Sequence, residues 1–80
     1  MIKETVDKVV MELAMLDEIP AGDTRLREDM GVDSLKMVEL MVGIEEALDI
    51  EIRESDLDPD TYQTMEDLYD MARRYTGAAL

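Results

Sequence analysis

The sequence predicts an all-α fold: a small four-helix bundle with three main helices, one short helix and a long loop between the first two. Apolar residues recur at helical spacing in three separate segments. Proline and glycine interrupt the chain between them. A length of 80 residues allows one domain, expected over 1–80, with a small core.

The first helix is expected over Ile2–Leu16. Ile2, Val6, Val9, Val10, Leu13 and Leu16 form its stripe, and Pro20, Ala21 and Gly22 end it. Asp23 to Asp33 reads as a long connection that tucks Leu26, Met30 and Val32 against the helices and turns at Gly31. The second helix is expected over Ser34–Leu48, with Asp33 or Ser34 as its N-cap. Ile50-Glu51-Ile52 reads as a short extended link, and Ser55-Asp56-Leu57 as the start of a single helical turn before Pro59 breaks the chain. Thr64 caps the last helix, Met65 to about Tyr75, with Asp67 placed for a capping box. Met65, Leu68, Ala72 and Tyr75 face inward, Arg73 and Arg74 complement the dipole, and Gly77 stops the helix.

Composition narrows the chemistry. The chain has no cysteine and no histidine, so thiolate metal sites, disulfides and the commonest general base are missing. No nucleophile–base pair can be assembled, which argues against an enzyme. With 21 acidic and 8 basic residues, the formal charge is -13. That charge argues against nucleic acid and anionic membranes and favours basic partner surfaces. No apolar run suggests a signal peptide or a membrane span. A cytoplasmic monomer is the expectation.

The second helix carries two apolar faces. Met37, Leu40, Met41, Ile44 and Leu48 form one. Leu35, Val38 and Val42 form another, flanked by Glu39, Glu45 and Glu46. From Met37 to Asp70 twelve acidic residues face one basic residue, Arg53. An apolar stripe rimmed by carboxylates suits a greasy patch ringed by Arg and Lys. Burial of the helix on all sides is the plainer alternative. Most of the eight methionines are expected to fill the core.

Ser34 by itself reads as a helix cap. A phosphodiester on its hydroxyl would also be well placed, beside unpaired backbone N–H groups and the positive end of the helix dipole. The pattern Leu26-x-x-Asp29-Met30-Gly31-Val32-Asp33-Ser34-Leu35, followed by Val38-Glu39-Leu40 and Ile44-Glu45-Glu46, resembles the acyl carrier protein family. The resemblance implies that a phosphopantetheinyl transferase moves 4′-phosphopantetheine from coenzyme A onto Ser34. The arm's thiol would then hold acyl intermediates as thioesters, and the chain would catalyse nothing. It further implies that Asp33, Leu35, Val38, Glu39, Val42, Glu45 and Glu46 meet synthases, acyltransferases or ligases with basic surfaces.

Two departures bear on the pathway. Lys36 stands where carriers of fatty acid synthesis usually have an acid, so it joins the residues expected to influence partner choice. The segment Asp56 to Gln63 looks longer than in housekeeping carriers. Together they suggest a dedicated polyketide or secondary-lipid carrier, with aminoacyl, D-alanyl and peptidyl carriers as alternatives. Gly31-Val32 favours the acyl class over the peptidyl.

Two rivals remain. Asp56, Asp58 and Asp60 fall at positions one, three and five of a calcium loop ending at Asp67. Such a loop needs Gly at its sixth position and Glu at its twelfth, where this chain has Thr61 and Asp67, with Pro59 inside. A helical adaptor using the Leu35/Val38/Val42 face without a covalent arm is the other.

Overall fold

Apolar periodicity yields three helices: α1 (Ile2–Ala14), α2 (Ser34–Leu48) and α3 (Met65–Thr76). The structure, a computed structural model, describes residues 2–77 except for the Pro59 side chain. Among these residues no strand forms, and an isolated bridge joins Arg25 to Thr64. The all-α expectation is borne out.

The expected short helical turn forms as the 3-10 turn Glu54–Asp56, and a second 3-10 turn, Pro59–Thr61, follows it. The ring of a proline disfavours helical geometry in the residue before it. Asp58 accordingly stands extended, with φ -65° and ψ 117°, and separates the turns.

α1 stops two residues short of the expected end. Met15 adopts a left-handed φ of 56°, and the Leu16 N–H reaches back to the Met11 carbonyl at 2.9 Å. This helix-ending hydrogen bond satisfies a terminal carbonyl and lets Leu16 pack against the core.

The long loop is tied to the start of α3. The first N–H groups of a helix have no partner within it. Here Met65 N–H donates to the Thr24 carbonyl at 3.1 Å and Glu66 N–H to the Gly22 carbonyl at 2.9 Å. In the other direction, Leu26 N–H donates to the Gln63 carbonyl at 2.8 Å. The Asp67 carboxylate accepts the N–H groups of Gln63 and Thr64 at 2.8 and 3.1 Å, the backward arm of the expected capping box.

The core forms where the stripes meet. α1 gives Val6 and Val10, α2 gives Met37, Leu40, Met41 and Ile44, and α3 gives Met65, Leu68, Tyr69, Met71 and Ala72. Leu26 and Val32 plug it from the loop. Each large apolar side chain buried here contributes about 1.5–3 kcal/mol. Gly43 lets α1 approach α2, since a Cβ there would meet Val9 Cγ1 at 2.9 Å.

One carboxylate lies inside this apolar volume. Asp7 is only 2% exposed. A buried carboxylate needs partners, and Asp7 has two. The Tyr69 hydroxyl donates to its Oδ1, linking α1 to α3, and Lys3 Nζ lies 2.9 Å from Oδ2. Lys3 also sits over the Tyr69 ring, 5.2 Å from its centroid. Burial, then the hydrogen bond to Asp7, raises the pKa of Tyr69 well above the ordinary tyrosine value.

Tyr69→Phe keeps the ring and removes the donor. It is expected to destabilise the fold by about 1–3 kcal/mol in denaturant titration. An unchanged midpoint would mean the pair contributes nothing. The pH dependence has a fixed sign. Unfolded Tyr69 loses its proton near pH about 10, and the folded residue only at higher pH. The folded state therefore binds more protons in that window, and stability falls as pH rises above about 10. Tyr69→Phe should flatten part of that alkaline loss.

Candidate functional site

Backbone turns set the start of α2. Gly31 takes a φ of 68°, the left-handed geometry that glycine adopts at little cost. The turn lets Val32 N–H reach the Leu26 carbonyl at 2.9 Å, and both side chains of that pair are buried. Asp33 is then extended, and its Oδ1 accepts the Lys36 N–H at 2.9 Å. The sequence left the cap open between Asp33 and Ser34. The structure assigns it to Asp33.

Ser34 is thus the first helical residue, and its hydroxyl has no capping role. The side chain is exposed, and Oγ accepts a hydrogen bond from Arg27 Nη2 at 3.1 Å. The same Nη2 lies 3.8 Å from Asp60 Oδ1. Arg27 therefore bridges the loop, the start of α2 and the second 3-10 turn. Sequence reasoning misses Arg27. It lies seven residues before Ser34 within an unassigned stretch of the motif, and only the Gly31 turn brings the two together.

The second face of α2 is exposed as expected. Leu35 is 70% exposed, and Val38 and Val42 are each 43% exposed. Lys36, Glu39 and Glu46 are exposed beside them. Glu45 differs: it is half-buried, and its Oε2 accepts the Ile52 N–H at 2.8 Å. This carboxylate anchors the link after α2, so it is less available at the surface than its neighbours.

The carboxylates of the calcium rival are engaged separately. Asp56 receives the Tyr75 hydroxyl, Asp58 caps the Asp60 N–H at 3.0 Å, Asp60 approaches Arg27, and Asp67 serves α3. Among the described residues no group of three or more acidic side chains is arranged to hold a metal ion.

These residues fit a phosphodiester. An exposed hydroxyl stands in the first turn of a 15-residue helix, at the positive end of its dipole. A guanidinium already touches that oxygen.

The family model described as phosphopantetheine attachment site matches residues 4–72. An acyl carrier protein of Syntrophobacter fumaroxidans is 37% identical over 73 residues, covering 91% of this chain and 88% of that protein. An acyl carrier protein of Campylobacter lari is 43% identical over 56 residues, covering 69% of this chain and 73% of that protein. A chloroplastic acyl carrier protein of Hordeum vulgare is 35% identical over 79 residues, covering 94% of this chain and 60% of that protein.

The division of roles at the helix start is testable by stability alone. Asp33→Ala is expected to cost about 0.5–2 kcal/mol through loss of the cap. Ser34→Ala is expected to stay within about 0.5 kcal/mol of the parent, as at an ordinary surface position. Denaturant midpoints of the two variants check this. A larger loss for Ser34→Ala would reverse the assignment.

Proposed function

This chain belongs to the acyl carrier protein family, and from that premise we propose that Ser34 is the residue that bears its prosthetic arm. The chain is a non-catalytic carrier with a covalently attached 4′-phosphopantetheine. It works through a modifying transferase and partner enzymes. The observation that carries the Ser34 reading is its exposed hydroxyl in the first turn of α2, with the capping role taken by Asp33.

In the loading step Ser34 Oγ forms a bond to the phosphorus of coenzyme A that bears pantetheine. The bond from that phosphorus to the adenosine bisphosphate half breaks, and the hydroxyl proton leaves to a base of the transferase. The arm, once in place, supplies the thiol that holds an acyl group as a thioester. This chain's own task is to hold the root of the arm at a rigid helix end and to offer a docking face.

Leu35, Val38 and Val42 form the apolar centre of that face, with Asp33, Lys36, Glu39 and Glu46 around it. Glu45 acts from behind, by fixing the end of the helix. The face suits synthases, acyltransferases or ligases whose surfaces are basic. Lys36 beside the arm and the long acidic segment from Asp56 to Gln63 support a dedicated polyketide or secondary-lipid pathway over housekeeping fatty acid synthesis. We place this work in the cytoplasm, with the carrier acting as a monomer.

Incubation with coenzyme A and a phosphopantetheinyl transferase is expected to add one phosphopantetheine by intact mass, and Ser34→Ala to abolish the addition. An unmodified parent after treatment with several broad-specificity transferases would sink the reading. The mass of the loaded chain from its native cell identifies the cargo; an amino acid there would overturn the acyl assignment.

The rim is tested by charge reversal. Glu39→Lys with Glu46→Lys is expected to slow acyl transfer to partners by about tenfold at low salt, because steering by opposite charge is lost. Added salt should slow the parent more than the variant. Equal rates for both would reduce the rim to a solubility device.

A further inference from the structure

We propose that Arg27 grips the phosphodiester at the root of the arm and so fixes where the arm starts. The inference rests on Ser34 as the attachment residue. Arg27 Nη2 already lies 3.1 Å from Ser34 Oγ, the oxygen that would become the ester oxygen. Attachment places phosphorus one bond beyond that oxygen and its charged oxygens one bond further. The guanidinium therefore meets the new anion without a change of backbone.

The backbone beneath Arg27 is held in place. Gly31 N–H donates to the Arg27 carbonyl at 3.1 Å, and the preceding Leu26 is fully buried. The competing partner is weak. Asp60 is 3.8 Å away, and the two side chains are 59% and 85% exposed, the setting in which ion pairs contribute least. A phosphodiester next to the guanidinium can accept two parallel N–H donors, a stronger arrangement than a loose contact with one carboxylate. Local charge points the same way. In a chain of net charge -13, another anion beside Asp33 meets repulsion, which the Arg27 guanidinium at Ser34 offsets.

The grip also gives the arm a direction. Arg27 borders a groove lined by Arg25, Glu28, Asp60, Tyr62 and Gln63. A phosphodiester held by Arg27 lies beside a residue of that groove's wall. Arg27 is a positioning residue here, since it acts on no reacting atom of the thioester.

The test uses the full chain in apo and pantetheinylated forms, with loading confirmed by intact mass. Loading is expected to shift the Arg27 side-chain Nε–Hε resonance in the parent. The phosphorus resonance of the loaded parent should be shifted and broadened relative to loaded Arg27→Gln, with Arg27→Lys between them. High salt should move the parent toward the Gln variant. An Arg27 resonance unmoved by loading, or a phosphorus signal identical in the parent and Arg27→Gln, would overturn the proposal. The comparison of apo and loaded parent decides the matter even where a variant loads poorly. A parent that acquires no mass at all would instead defeat the Ser34 reading.

Discussion

Asp33 makes the hydrogen bond on which the site depends. A helix must satisfy its first N–H groups, and a serine at its start would ordinarily be recruited to do so. With Asp33 Oδ1 on the Lys36 N–H, the Ser34 hydroxyl is left outside the helix's own hydrogen bonding. That arrangement needs Asp33 to be extended and Gly31 to be left-handed, so the turn before the helix is part of the device. The turn is held in place by Leu26 and Val32, which are buried, and by loop carbonyls that accept the first N–H groups of α3. The start of one helix is thus stabilised by the same loop that positions the start of another.

A chain this short cannot surround every apolar face. The buried α2 stripe is covered by α1, by the second 3-10 turn and by the shared core, and Leu35, Val38 and Val42 are left outside. Glu45 shows how little of the helix is idle. Its position on the rim suggests a solvent role, but its carboxylate holds the Ile52 N–H and so fixes the link that follows. Asp7 and Tyr69 add a polar bond between the first and last helices inside the apolar core.

Much of this was legible in the sequence because it is local. The start of α2 follows from its apolar spacing and from capping residues at Asp33 and Ser34, and both faces of the helix can be read from the same spacing. The last helix follows from Thr64, Asp67 and Gly77 for the same reason. The end of α1 was not legible, because Met15 adopts a left-handed conformation that methionine does not advertise. The break at Pro59 was legible, but the second 3-10 turn was not: a proline that ends one turn also suits the first position of the next. Contacts made by the folded chain, whether between distant elements or across the Gly31 turn, gave no local signal. Asp7 with Tyr69, Asp56 with Tyr75, and Arg27 with Ser34 each join residues that only the folded chain brings together.

The exposed face also has an energetic logic on the proposed reading. Charge around an interface chiefly sets how fast partners meet, whereas the desolvated centre chiefly sets how long they stay together. Here the rim is rich in acid and the centre is three medium-sized side chains, two of them already half-covered in the unbound chain. Three side chains offer only a small apolar area to remove from water, so the gain on docking is modest once the cost of association is met. Such a surface favours rapid encounter and ready release. A carrier that must pass one thioester between several enzymes needs both, and a larger apolar stripe on the same helix would slow the departure on which its turnover depends.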